Sequence, residues 1–183
     1  LKKAYANGTE LRGKTLGILG FGRIGQALAS YALGCGMNVL ACDISDGPFD
    51  IEVTVGGQKV TVKVQGVSKD ELLQQSDFLS IHIPSTDKPV IGAEEFAAMK
   101  DGAIILNAAR GCSIDEDALL AALDSGKIAH AALDVFVNEP TPRADVLAHA
   151  KISLSPHIGA ATAEAQDRIG GELASIIKEF YGK

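Results

Sequence analysis

Six residues, Gly20-Phe21-Gly22-Arg23-Ile24-Gly25, constrain this chain more than any others. They follow a short apolar run, Thr15–Leu19, and lead into a stretch from Ile24 to Leu33 rich in Ala, Leu and Gln. Alone, G-x-G-x-x-G is a weak signal. Between a strand and a helix it acquires a physical meaning. Gly20 permits a tight turn, Gly22 lets the backbone approach a pyrophosphate, and Gly25 lets helix and strand pack closely. The amides at the helix start, at Arg23 and Ile24, then face the phosphates. Asp43 closes the next strand, where its carboxylate can accept hydrogen bonds from a ribose 2′-OH and would repel a 2′-phosphate. Neither Ile44 nor Ser45 offers a cation for such a phosphate. The pattern favours NAD over NADP, although an ordinary turn aspartate would also fit Asp43-Ile44-Ser45-Asp46.

Further apolar runs occur at Asn38–Cys42, Phe78–Ile83, Ala103–Ala108, Ala131–Phe136 and Ile152–Leu154. Several are apolar at nearly every position, as strands of a parallel sheet covered on both faces should be. Helical stretches separate them. Ser68-Lys69-Asp70-Glu71 and Ser113-Ile114-Asp115-Glu116 both have capping-box spacing, and a last helix is predicted from Thr162 to Tyr181. This alternation predicts an α/β fold with a Rossmann-type doubly wound parallel sheet.

One segment breaks it. From Ile51 to Val64 two β-branched runs flank Gly56-Gly57-Gln58-Lys59, which predicts an inserted β-hairpin. With a four-residue loop, Val55 faces Val60, Val53 faces Val62 and Ile51 faces Val64, while Thr54–Thr61 and Glu52–Lys63 pair on the other face. A two-residue Gly-Gly turn would also keep one apolar face. That face must pack on something, because a lone hairpin is unstable in water. The adenosine end of the cofactor cleft and a subunit contact are the two expected places.

Composition narrows the partners. The net charge is −6, and the 17 Lys and Arg residues form no cluster. Nucleic acid and anionic membrane surfaces are therefore not expected as partners. No apolar run approaches a bilayer-spanning length, and Leu1–Gly8 lacks the apolar core of a signal peptide. Cys35, Cys42 and Cys112 show no metal-site or disulfide spacing. They read as free thiols in a reducing, cytoplasmic compartment, and no metal is expected.

In open α/β sheets, ligands bind outside the carboxyl ends of the strands. Three reactive residues fall there. Arg110 follows Ile104–Ala109, Glu139 follows Asp134-Val135-Phe136, and His157 follows Ser153–Pro156. Arginine's planar fork matches a carboxylate. Histidine exchanges protons near neutral pH, and a neighbouring carboxylate orients the ring and favours its protonated form. Together they suit a 2-hydroxy acid or 2-keto acid beside a nicotinamide. His82, ending a strand in His82-Ile83-Pro84, is placed along the cofactor cleft, whereas His130 and His149 read as structural.

The stretch Glu10–Gly25, Asn107-Ala108-Ala109-Arg110-Gly111, Leu133-Asp134-Val135-Phe136 with Asn138-Glu139-Pro140, and Ser155-Pro156-His157-Ile158-Gly159 together resemble the D-isomer-specific 2-hydroxyacid dehydrogenases. The resemblance covers nearly the whole chain apart from the hairpin. It implies that Arg110, Glu139 and His157 are catalytic and that Asp134 meets the nicotinamide carboxamide. Asp43 would meet the adenosine ribose, with Ala108, His82, Ile83 and Pro84 beside the cofactor. Asp87–Gly92 and Glu164–Gly170 look most like the 3-phosphoglycerate dehydrogenase branch, which oxidises 3-phosphoglycerate with NAD in serine synthesis. The resemblance also implies a homodimer, with Tyr5–Lys14 as an arm toward the neighbouring subunit, and a second, substrate-closing domain preceding residues 1–183. Sister enzymes acting on glyoxylate, hydroxypyruvate or lactate remain open as readings. So do a corepressor-like NAD sensor and a module that binds NAD without catalysis.

Overall fold

β1 (Thr15–Leu19) is buried along almost its whole length, and the rest of the molecule is laid out around it. A computed structural model describes residues 8–182. The turn after β1 feeds α1 (Arg23–Gly34), which returns to β2 (Asn38–Cys42). A hairpin follows, β3 (Phe49–Val55) and β4 (Gln58–Gly66), then α2 (Lys69–Gln75), β5 (Phe78–Ile81) and α3 (Ala93–Ala98). The second half runs β6 (Ala103–Asn107), α4 (Glu116–Asp124), β7 (Ile128–Leu133), α5 (Ala144–Ala148), β8 (Ile152–Leu154) and α6 (Ala163–Tyr181). The eight strands form one sheet in the order β3-β4-β2-β1-β5-β6-β7-β8. Every neighbouring pair is parallel except β3 with β4. The fold is thus the doubly wound α/β sheet read from the sequence. The chain reverses direction across the sheet between β1 and β5, and at that switch point ligands bind.

The core has two parts. Ile18, Val39, Ala41, Ile51, Val53 and Val64 pack with Ala29 and Ala32 of α1. Leu79, Ile81, Ile105, Leu133 and Ile152 pack with side chains of α2, α3, α4 and α5. Each fully buried Leu or Ile contributes about 1.5–3 kcal/mol by transfer from water. A close join is at Gly25, where a Cβ would stand 2.4 Å from the Gly20 carbonyl oxygen and 3.1 Å from Ile18. Only glycine lets α1 start this close to β1.

The hairpin differs from the preferred register. Val55 pairs with Gln58, Val53 with Val60, Ile51 with Val62 and Phe49 with Val64, so the loop is the two-residue Gly56-Gly57 turn. Both glycines have positive φ, 57° and 80°, the backbone of the tight turn whose twist matches a hairpin. A four-residue loop would leave Gln58 and Lys59 unpaired. Instead they extend the ladder, and Lys59 and Lys63 form ion pairs with Glu52 and Asp50 at 2.7 and 2.8 Å. The hairpin is also more than an insertion. β4 joins β2 in parallel through Leu40–Gln65 and Ala41–Gly66, extending the sheet. Its apolar face is covered by α1, and Phe49 lies 4.7 Å from Phe21, centroid to centroid, beside the glycine-rich turn.

Smaller corrections have local causes. β5 ends at Ile81 rather than Ile83: His82 still donates to Leu19 O, but Pro84 has no N–H to continue the ladder. β7 occupies Ile128–Leu133, because after Asp134 the chain leaves the sheet. Ser68 caps α2 by accepting from Glu71 N. The predicted cap Ser113 does not cap α4. Asp115 does, accepting from Ala118 N at 3.0 Å, and Ser113 lies fully buried in a 3₁₀ turn (Gly111–Ser113). Thr162 caps α6, whose residues are nowhere buried. Ile169, Leu173, Ile176 and Phe180 form an apolar stripe on it. Among the described residues, no helix is long and apolar enough to cross a membrane.

Candidate active site

The carboxyl ends of β1, β2 and β5 form one side of a cleft. Gly20 turns with φ 92°, and a Cβ there would meet His82 O at 2.6 Å and Ile83 at 2.9 Å. The sequence-predicted cofactor residues Gly20, His82 and Ile83 are therefore side by side, with exposed Pro84 following. Gly22 has nothing within 4 Å of where its Cβ would be. It stands as the N-cap of α1 without a side-chain cap, so no capping side chain takes up the first amides of this 12-residue helix. That is the cradle a pyrophosphate needs. Arg23 points elsewhere, pairing at 2.9 Å with Glu172 of α6, and Ile24 lies largely exposed on the cleft wall.

Asp43 directly follows β2 with its carboxylate turned toward the glycine-rich turn. Its Oδ2 accepts from Phe21 N and its Oδ1 from Ile44 N. Each oxygen keeps further acceptor capacity, which is what a ribose diol would use. His82 Nε2 lies 2.8 Å from Ser80 Oγ, and burial alone pushes its imidazole below the ordinary histidine range.

Across the cleft stand the ends of β6, β7 and β8. Asn107, 2% exposed, builds the Arg110 turn: its Nδ2 donates to Arg110 O at 2.8 Å and its Oδ1 accepts from Ala109 N at 3.1 Å. Gly111 then packs directly on the neighbouring loop, where a Cβ would stand 2.0 Å from Phe136 C and O. Arg110 itself is exposed, with Nη1 on Ala109 O at 2.6 Å. Cys112 Sγ sits 3.4 Å from Ser85 Oγ. That hydrogen bond, with one from Thr86 and the Arg110 charge, holds its thiol below the ordinary range.

Glu139 is aimed by its own turn, Oε1 accepting from Phe136 N at 2.9 Å. Its Oε2 lies 2.8 Å from His157 Nδ1. The His157 hydrogen bond first, then that from Phe136 N, holds the Glu139 carboxyl below its ordinary range. His157 adopts φ 54°, a left-handed backbone rare for a histidine. Such strain persists only where surroundings over-determine it, and here Asp134 does so. The Asp134 carboxylate accepts from Ser155 Oγ at 2.6 Å and from Ile158 N and Gly159 N at 2.9 Å each. Burial would raise this carboxyl, but the three hydrogen bonds outweigh it and hold it low.

Two hollows share Arg110 and His157 as wall residues. One, of about 420 Å³, is walled by Ile24, Ala108, Arg110, Asp134 and His157. The other, of about 260 Å³, is walled by Arg110, Cys112, Phe136, Glu139 and His157. The structure thus gathers Arg110, Glu139 and His157 with three of the sequence-predicted cofactor residues. His130, on β7, and His149, paired with Asp124 at 3.2 Å, lie apart. Sequence reasoning missed Asn107, whose place at a strand end before a turn was its signal, and Ser155. It also missed the hold of Asp134 on the His157 loop, which brings together residues far apart in the chain.

This is the nucleotide-binding half of a 2-hydroxyacid dehydrogenase architecture, and the comparisons agree. The chain belongs to the family of D-isomer specific 2-hydroxyacid dehydrogenases as its NAD binding domain, the family model matching residues 1–159. It is similar to hydroxypyruvate reductase of Thermotoga maritima, 44% identical over 185 residues, covering 98% of this chain and 57% of that protein. D-3-phosphoglycerate dehydrogenase of Mycobacterium leprae is 38% identical over 179 residues, covering 97% of this chain and 32% of the relative. Among solved structures, a glyoxylate reductase from Paecilomyes thermophila superposes with a TM-score of 0.76 at 39% identity, over 89% of this chain and 48% of that one. The chain therefore spans about half or less of the length of these relatives.

Proposed function

We propose that this chain is the cofactor half of an NAD-dependent D-2-hydroxyacid dehydrogenase, with Arg110, Glu139 and His157 as its catalytic residues. The 2.8 Å contact of His157 Nδ1 with Glu139 carries the reading. It commits Nδ1 to the carboxylate and leaves Nε2 for the substrate. Bound NAD supplies the hydride acceptor. Arg110 grips the substrate carboxylate. As the C2–H bond releases its electron pair as hydride, His157 Nε2 takes the hydroxyl proton and the C2–O bond becomes a carbonyl. In the reverse direction the imidazolium returns that proton. Glu139 offsets the positive charge on the ring. Gly20, Gly22, Arg23, Ile24 and Gly25 hold the cofactor by backbone, Asp43 holds the adenosine ribose, Asp134 meets the nicotinamide carboxamide, and His82, Ile83, Pro84 and Ala108 line the cofactor cleft.

The finer reading from sequence is oxidation of 3-phosphoglycerate in serine synthesis. A second reading, reduction of hydroxypyruvate or glyoxylate, is favoured by the 44% identical relative. A second domain outside this chain would complete the substrate pocket. The three free cysteines support a reducing, cytoplasmic setting. A homodimer is the proposed assembly. Its expected arm, residues 5–14, falls partly outside the described residues. The deciding experiment measures NADH oxidation by the complete protein with phosphohydroxypyruvate, hydroxypyruvate, glyoxylate and pyruvate. A preference for the phosphorylated acid supports the first reading, and a preference for hydroxypyruvate or glyoxylate supports the second. No turnover of any 2-keto acid, with NADH still bound, would overturn both in favour of an NAD-sensing module.

A further inference from the structure

We propose that Glu116 is a positioning residue for the Glu139–His157 pair, with Arg143 as its latch. The inference rests on the catalytic reading of that pair. Glu116 opens α4 and is 7% exposed, and burying a carboxylate this deeply needs a compensating partner. Its Oε1 accepts from Val137 N at 3.1 Å. Val137 belongs to the turn that runs from Phe136, whose N–H donates to Glu139 Oε1, to Glu139 itself. Asn138, next in line, has φ 62°, a left-handed backbone that an amide side chain tolerates. The carboxylate therefore sets the height of a tight turn from beneath.

Arg143 closes the far end of the same loop. Its Nη1 lies 2.6 Å from Asp117 Oδ1 and its Nη2 2.6 Å from Asp145 Oδ2. Its Nε stands 3.9 Å from Glu116 Oε2, an oxygen with no hydrogen-bond partner. One guanidinium thus ties the first turn of α4 to the first turn of α5, across the loop that carries Glu139. The same stretch abuts Gly111, where no Cβ would fit against Phe136, which pins the Phe136 end of the turn. Glu116 touches neither His157 nor the cleft hollows. Its effect on turnover must pass through Glu139.

The test is a double-mutant cycle in the complete protein. Glu116→Ala is expected to lower kcat about 10–100-fold, the scale of a misplaced catalytic group, with KM and NADH affinity within threefold. Glu116→Gln, which keeps an acceptor for Val137 N, restores most of the rate. In a Glu139→Gln background, Glu116→Ala loses most of its effect, because the group it positions is already disabled. In a crystal structure of Glu116→Ala, the His157 Nδ1–Glu139 Oε2 contact opens beyond hydrogen-bond range, a readout that needs no turnover. Arg143→Leu gives the same pattern at smaller amplitude if Glu116→Ala fails to fold. An equal loss in both backgrounds, or an unchanged 2.8 Å contact in the variant, would overturn the proposal. Absence of turnover in the unmutated protein would instead overturn the catalytic reading, leaving the crystal contact to decide the positioning claim.

Discussion

His157 and Glu139 meet at 2.8 Å through Nδ1 and Oε2, and each is held from a different loop. Phe136 N fixes the carboxylate, while the Asp134 hydrogen bonds to Ser155, Ile158 and Gly159 hold the loop around the imidazole. Glu139→Gln keeps the shape and the Phe136 acceptor but removes the charge. We expect kcat to fall about 10–100-fold, within the range for general acid–base support. NADH affinity should stay within threefold. The loss should appear in both reaction directions, since a variant cannot change the overall equilibrium. Because the Glu139 carboxyl is held below its ordinary value, its carboxylate stays charged to a lower pH than an ordinary glutamate. Any limb due to its protonation therefore lies below the ordinary glutamate value in wild type and is absent from the variant. A limb at or above the ordinary range that disappears in Glu139→Gln would contradict the assignment.

The glycine-rich turn separates folding from binding. Gly22 has φ −73° and open space around its missing Cβ. Gly22→Ala should therefore leave Tm within about 2 °C, since it adds no protein clash. It should weaken NADH binding at least tenfold by intruding on the cofactor. Gly25→Ala should do both, because its Cβ would lie 2.4 Å from Gly20 O. Equal Tm losses for the two variants would show that Gly22 has a packing role instead.

The hairpin makes a stability prediction. Val64 is 1% exposed and Val60 is 48% exposed on the same strand. In urea unfolding, Val64→Ala should cost about 2 kcal/mol, combining lost transfer energy and a residual cavity. Val60→Ala should cost less than about 0.5 kcal/mol. The reverse order would mean that the strand has slipped.

Asp77 ties the start of β5 to the start of β1, accepting from Thr15 N at 2.8 Å and pairing with Lys100 at 3.0 Å. Burial would raise its carboxyl, but these partners outweigh it and lower it overall. A depressed carboxylate adds stability that is present above the ordinary aspartate range and lost as pH falls through its folded value. Asp77→Asn should therefore be less stable than wild type at pH 7 and show a shallower decline on acidification. Parallel stability curves in thermal unfolding from pH 7 to pH 3 would refute this.

The sheet and the three reactive residues were legible because they depend on short-range signals. Glycines mark the turn after β1, apolar runs mark buried strands, and Arg110, Glu139 and His157 each stand just past such a run. The hairpin register was harder, because shifting the turn from four residues to two keeps an alternating apolar face. The choice came from φ > 0 at both glycines and from the ion pairs of Lys59 and Lys63. Asp115 outcompeted Ser113 as the cap of α4 because Ser113 is buried beneath the Arg110 turn. The holds of Asn107, Asp134 and Glu116 on the site were hidden for another reason. Each is a polar side chain that holds backbone amides or carbonyls of a distant or turning segment, and no sequence pattern names those atoms.

The most direct measurement is single-turnover hydride transfer from NADH to a 2-keto acid by the complete protein, wild type against His157→Ala. The account expects NADH affinity within threefold of wild type and transfer slower by about 10²–10⁴-fold, the usual worth of a positioned acid–base group. Transfer within threefold of the wild-type rate would contradict the assignment of His157 as the proton carrier and, with it, the central claim.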